Sequence, residues 1–305
     1  MDYCDIGSAK IAYRFFGSGE NTLVVDTCLG SCSGEWWHIA ETLSKKYRVL
    51  VFDRSGYGES SVSILERTPR NIALELDKLL NLIGIDKEFI IIGHSQGGLY
   101  AVEYAYLYPN KVKGLLLLDP ATPFDNLFRE KLTADEYKSS GVDKTISYKT
   151  GLILTSLGLG FAIKPLLKKA PPFYYYSFDK DAKEYLLKAL VRKNTYKTAL
   201  VEYAFTHNTV DTEDIVKAVD TTALHNLPIK IITHSSDFYI EELKYYGNMG
   251  EETAKKIEFL WQDIMKRYLF LSTNAEHITA PNSGHFIHLT DFEVLKSTVD
   301  SFYKI

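Results

Sequence analysis

Ser95 stands at the centre of Gly93-His94-Ser95-Gln96-Gly97-Gly98, between a β-branched apolar run, Ile90-Ile91-Ile92, and a helical pattern that runs from Leu99 to Leu107 and is stopped by Pro109. A Gly-x-Ser-x-Gly spacing between a buried strand and a helix describes a nucleophile elbow. At the apex of such a turn the serine takes a strained backbone conformation, which lifts its hydroxyl clear of the sheet edge. Strand and helix crowd together on either side, so a Cβ at position 93 or 97 would clash, and glycine has none. The helix that starts after Ser95 also aims unpaired N–H groups, the positive end of its dipole, at the same spot.

A serine hydroxyl is too weak an acid to attack unaided; it needs a base, and the base needs a carboxylate to orient it. Of the eight histidines, His285 is the favoured base. It follows a short strand in a loop of Asn282, Ser283 and Gly284, which puts it at the same sheet edge as Ser95. His288 faces the final helix in a structural role, and His94 is turned away from the site by the geometry of the elbow. His225, His234 and His277 lie at element boundaries and stay open as candidates. The favoured acid is Asp237, in Thr233-His234-Ser235-Ser236-Asp237 after the strand at 229–232. It gives the chain order Ser95, Asp237, His285 that accompanies this elbow. Asp119, which ends the strand after the elbow, is its rival, and Asp53 belongs to a structural turn. Negative charge developing on a carbonyl oxygen calls for two backbone donors. Gln96, next to the nucleophile, supplies one; Leu29, in the loop after Val24-Val25, is assigned the other.

These residues need a scaffold of strand ends. Apolar strands are expected at 9–16, 23–25, 49–52, 89–92, 112–118, 229–232 and 278–280. Helices are expected between them, one of them started by Thr68-Pro69. The strands are continuous apolar runs rather than alternating ones, which implies a mostly parallel sheet buried on both faces. Between about Pro123 and His225 the alternation breaks. That segment has a capping box, Thr133-Ala134-Asp135-Glu136, and amphipathic stretches at 179–193 and 196–205, and it reads as a helical insertion folded over the sheet. The pattern then resumes, with a long helix expected over roughly 251–270 and a last one capped by Thr290 with Glu293.

Three segments resemble the α/β-hydrolase fold superfamily: Gly93 to Gly98, Asp53-Arg54-Ser55-Gly56-Tyr57-Gly58-Glu59-Ser60, and Ser283-Gly284-His285-Phe286-Ile287-His288. The resemblance covers both ends of the chain outside 123–225. It implies an α/β fold with an eight-stranded, mostly parallel sheet flanked by helices, a core domain of residues 1–122 and 226–305, and a helical cap, 123–225, inserted after the sixth strand. Two departures stand out. Thr27-Cys28 replaces the His-Gly that the superfamily carries before its oxyanion residue, and Ser235-Ser236 precedes Asp237 in place of a glycine-rich turn. A serine at the elbow argues against the epoxide hydrolase and haloalkane dehalogenase branches, which use an aspartate there.

The expected activity is that of a serine hydrolase that cleaves a small or medium carboxylic ester, or a thioester or amide, through an acyl-enzyme; peptidase and lipase readings fall in the same class. The alternative from another class is a small-molecule-binding protein on the same fold. No metal or organic cofactor is required. A net charge of -4 gives no reason to expect nucleic acid or an anionic membrane as partner, so the expected partner is a small-molecule substrate. Three cysteines, Cys4, Cys28 and Cys32, are too few and too scattered for a disulfide framework. The N-terminus lacks the pattern of a signal peptide. The longest uncharged stretch, Thr150 to Ile163, is too short to span a bilayer. A cytoplasmic protein is expected. Glycines 151, 158 and 160 inside that stretch suggest a movable segment bordering the entrance, with Leu157 and Phe161 facing the acyl chain.

Overall fold

The computed structural model describes residues 1–140, 145–247 and 249–303. Positions 141–144 of the cap insertion lie outside the described residues. The core is one eight-stranded sheet: β1 (Asp2–Asp5), β2 (Lys10–Phe16), β3 (Thr22–Asp26), β4 (Arg48–Phe52), β5 (Phe89–His94), β6 (Val112–Leu118), β7 (Ile229–Thr233) and β8 (Ala275–Thr279), in the order β1-β2-β4-β3-β5-β6-β7-β8. β2 pairs antiparallel with β1 and β4, and every other pairing is parallel. The expected mostly parallel sheet is present. β1, too polar to register as an apolar run, adds the edge strand.

The apolar runs exist because both faces of the sheet are covered. Ile91, Leu115, Leu117, Ile229 and Ile231 pack on one side with α2 (Pro69–Leu82) and α3 (Gln96–Leu107). Ile90, Ile92, Leu116, Leu118 and Ile232 pack on the other with α1 (Trp37–Leu43). Side chains alternate across a strand, so a strand sandwiched between helix layers needs an apolar residue at every position. Thr68 caps α2 by accepting from the Asn71 N–H, with Pro69 in the first turn.

From 123 to 225 the described residues contain helices and no strand: α4 (Asn126–Lys131), α5 (Ala134–Ser139), α6 (Thr145–Ser156), α7 (Lys164–Leu167), α8 (Lys180–Leu190), α9 (Lys193–Thr206) and α10 (Glu213–Asp220). The Thr133–Glu136 capping box is formed in both directions. After β7 the chain turns into α11 (Ser236–Gly247), a helix the sequence did not announce, and then α12 (Glu251–Met265). The latter stops earlier than expected, because residues 266–271 tighten into a 3₁₀ helix. α13 (Ile287–Thr290) and α14 (Phe292–Ser301) close the fold. Thr290 does not cap α14. Its hydroxyl turns back to the Phe286 carbonyl at 3.1 Å, and Asp291 occupies the N-cap without a side-chain capping bond.

Candidate active site

The parallel strands β3, β5, β6, β7 and β8 run side by side, and the loops at their carboxyl ends supply the polar groups. Ser95 ends β5 with φ +54° and ψ -118°, a left-handed conformation that costs a non-glycine residue of order 1–3 kcal/mol. Two bonds hold it there: the Ser95 N–H donates to Leu118 O at 2.9 Å, and its carbonyl accepts from the Ala121 N–H at 2.8 Å. The flanking glycines are required by space. A Cβ on Gly93 would lie 2.6 Å from Gly97 O and from Gly98 Cα, and one on Gly97 would lie 2.3 Å from Asp26 O.

His285 lies in the loop between β8 and α13, with its side chain 26% exposed. The imidazole of His94, fully buried behind the elbow, donates through Nε2 to the His285 carbonyl at 2.9 Å. That bond ties the loop of His285 to the turn that holds Ser95. Burial, together with the neighbouring His288 and His285, drives His94 far below the usual imidazole range, so it stays neutral. Its bare Nδ1 then faces Glu35 Oε1 at 3.7 Å. His288 donates to Glu35 Oε1 at 2.9 Å and stacks on Trp36 with centroids 4.2 Å apart. Its structural role matches its sequence position.

The carboxylate that meets the His285 imidazole is Asp119. His285 Nδ1 lies 2.6 Å from Asp119 Oδ2. Asp237, favoured from the sequence, is not brought to the site. The chain after β7 passes directly into α11, so Asp237 falls in the exposed first turn of that helix, where a carboxylate favours the helix dipole. Asp119 follows β6 in a left-handed conformation, φ +44°, which aspartate tolerates better than most residues. Burial works to raise its pKa, but the His234 cation and hydrogen bonds from His234 and His285 outweigh it and hold the group well below the ordinary carboxylate range.

The loop after β3 is shaped by a residue of the turn that follows β4. Arg54 is fully buried and donates through Nη1 to Thr27 O at 2.6 Å and through Nη2 to Cys28 O at 3.1 Å, and it also pairs with Asp26. A trans peptide places N–H opposite C=O. Drawing the carbonyls of Thr27 and Cys28 toward Arg54 therefore turns the N–H groups of Cys28 and Leu29 the other way. The Leu29 carbonyl accepts from Tyr148 of α6 at 3.2 Å. Gln96 opens α3, so its N–H is among the helix donors without an intrahelical acceptor. The Gln96 side chain reaches Tyr100 OH at 3.1 Å and bonds Thr206 of α9. Asp53 is structural as expected, accepting from the Ser33 and Glu59 N–H groups and from Tyr185.

A buried charge cluster joins α9 to the segment after β4. Glu202 of α9, with no exposed surface, accepts from Tyr57 OH at 2.9 Å and from Arg67 at 2.9 Å, and pairs with Arg54 at 3.4 Å. Leu157 and Phe161, expected along the entrance, are each 68% exposed. The inner side of α6 carries Tyr148, which touches the loop after β3 at Leu29, and Gly151, whose missing side chain makes room for the Tyr196 ring. Cys28, Glu35 and His94 offer ligand atoms within 4.8 Å of one another. Both Glu35 oxygens are already engaged, by Ser31 and His288, so this set is a hydrogen-bonded cluster as it stands. No helix among the described residues is long and apolar enough to cross a membrane.

The family model for the alpha/beta hydrolase fold matches residues 21–151. The chain aligns over 99% of its length with the crystal structure of ALR0039 from Nostoc sp PCC 7120, covering 97% of that chain with a TM-score of 0.73 at 18% identity. It is 24% identical to the proline iminopeptidase PfmaB of Pestalotiopsis fici, over 91% of this chain and 92% of that one. It is 26% identical over 129 residues to RutD of Azorhizobium caulinodans, provisionally named a carbamate hydrolase, and there it spans 48% of that relative's length. The chain has the α/β-hydrolase fold.

Proposed function

We propose that the protein is a serine hydrolase that cleaves a carboxylic ester, or a related amide, through an acyl-enzyme. Ser95 Oγ attacks the carbonyl carbon while His285 accepts its proton. Asp119, bonded to Nδ1 of His285, fixes the tautomer that leaves Nε2 free for that proton and steadies the imidazolium. The oxyanion is met by the N–H groups of Gln96 and Leu29. His285 then protonates the leaving group as the C–O or C–N bond breaks. Water, deprotonated by His285, attacks the acyl-enzyme; the carboxylic acid departs and Ser95 regains its proton.

The observation that carries this reading is the 2.6 Å bond between His285 Nδ1 and Asp119 Oδ2 at the sheet edge where Ser95 is held. A protein that only bound small molecules would have no use for a carboxylate-oriented imidazole at the same sheet edge as a strained serine. No step calls on a cofactor. The substrate sits between the strand ends and the cap, where Tyr148 and Thr206 approach the loops. The test is a pre-steady-state burst with p-nitrophenyl esters of increasing acyl length, run beside a prolyl arylamide, a choice suggested by the similarity to PfmaB. One equivalent of p-nitrophenol per protein, released ahead of steady turnover, supports an acyl-enzyme. Absence of turnover on the whole panel contradicts the reading.

A further inference from the structure

Behind the acid lies a second histidine with no part in the reaction described above. The carboxylate of Asp119 receives three donors: His285 Nδ1, the His234 backbone N–H at 3.1 Å, and His234 Nδ1 at 2.9 Å from each oxygen. On the far side of its ring, His234 Nε2 lies 2.9 Å from Glu258 Oε2. Glu258 in turn accepts from Ser236 and Gln262, both at 2.7 Å. His234, Asp119 and Glu258 are all at most 2% exposed.

We propose that His234 is a positioning residue for hydrolysis, extending the site into a buried chain, His285–Asp119–His234–Glu258, that keeps Asp119 ionised and aimed at the base. The proposal rests on the reading of Ser95, His285 and Asp119 as a hydrolytic triad.

The charge of His234 follows from its partners. A neutral imidazole has one donor and one acceptor nitrogen. Here both nitrogens face carboxylate oxygens, which only accept, so both carry protons and the ring is a cation. The ring is sandwiched between Tyr239 at 4.1 Å and Trp261 at 4.2 Å, each tilted by 29°, and aromatic faces attract a cation. Burial works to deprotonate His234, but Asp119 and Glu258 overcome it and push its pKa up to about 10.

Every element packed on the ring contributes. β6 brings Asp119, the loop after β8 brings His285 against Asp119, α12 brings Glu258 and Trp261, and α11 brings Tyr239 together with Glu242, whose charge also acts on His234. The cation offsets part of the field that Asp119 exerts on His285. It also occupies both oxygens of Asp119, so the carboxylate cannot rotate away from the base.

An inert structural ion pair would stabilise the fold without touching the titration of the base, and two measurements separate the cases. The first is the pH profile of kcat/KM for p-nitrophenyl acetate in the wild type and in His234→Gln, which keeps a donor toward Asp119 but loses the charge. The expected result is an acid limb displaced upward by about 1 pH unit, because His285 then feels Asp119 uncompensated, with a tenfold or greater loss of kcat at pH 6. An unmoved limb, in a variant that folds, overturns the proposal.

The second measurement needs no variant. Nitrogen-15 spectra of histidine-labelled wild type at pH 8 should show one imidazole protonated at both nitrogens, and a spectrum in which every histidine is neutral overturns the proposal even if His234→Gln fails to fold. Failure of the underlying reading looks different: the wild type itself would show neither turnover nor a fluorophosphonate adduct on Ser95, and the proposal would fall with it.

Discussion

Asp119 and His285 are 166 residues apart in the chain and are joined by a 2.6 Å bond, while Asp237, nearer to His285 in sequence, lies exposed on α11. Asp119→Asn should therefore leave the fold in place and lower kcat by about 10⁴, because an amide favours the wrong imidazole tautomer. Asp237→Asn should lie within twofold of wild type. Steady-state kinetics on one p-nitrophenyl ester rank the two, and the reverse order would return the acid to the later strand.

Arg54 holds the loop after β3, the proposed oxyanion loop, through two carbonyls. A lysine offers a point charge in place of the guanidinium fork and cannot hold both. Arg54→Lys should lower kcat by about 10²-fold, the scale of one lost oxyanion donor, with KM little changed. A loss confined to KM would place Arg54 in substrate binding.

Tyr148 touches the Leu29 carbonyl from the cap, whereas Phe161 faces outward. Tyr148→Ala should change the ratio of kcat/KM between long and short acyl esters by roughly 10- to 200-fold, or about 1–3 kcal/mol. Phe161→Ala should keep the parental profile. If Phe161→Ala shifts the profile and Tyr148→Ala does not, the outer surface of the cap forms the pocket wall.

Glu103, on α3, is 1% exposed, and its Oε2 has no hydrogen-bond partner among the described residues. Burial, reinforced by Asp214, raises its pKa to about 8 from a model-peptide value of 4.5. The folded state thus holds this proton more tightly than the unfolded chain, and stability falls as pH rises from about 4.5 to about 8. Glu103→Gln should raise Tm more at pH 9 than at pH 5. An equal change at both pH values would show that the carboxyl titrates normally.

The parts of the site that were legible in the sequence are those defined by a few consecutive residues. The elbow at Gly93 to Gly97 is a steric statement about one turn, and His285 is placed by a short strand and a glycine. The choice between Asp119 and Asp237 is of another kind. It depends on whether the chain after β7 continues as loop or helix, and on which of two neighbouring strand ends aims a carboxylate at one imidazole. Glu258, the residue that completes the surroundings of His234, sits 24 positions downstream with no local mark. Arg54 looked like part of a glycine-rich turn because its partners, Thr27, Cys28 and Glu202, lie 26 to 148 residues away. The cap's helices were visible as periodicity. Their packing was not, so the exposure of Leu157 and Phe161 could not be read from it.

The central claim is that Ser95 forms a covalent intermediate with the help of His285 and Asp119. Intact-mass spectrometry after incubation with a fluorophosphonate tests it most directly, because the reagent is stopped at the step where the nucleophile attacks. The account predicts one adduct per wild-type chain, located on the peptide that contains Ser95, no adduct in a folded Ser95→Ala variant, and labelling slowed by orders of magnitude in Asp119→Asn. An adduct of the same stoichiometry on Ser95→Ala, or none on the wild type, would contradict it.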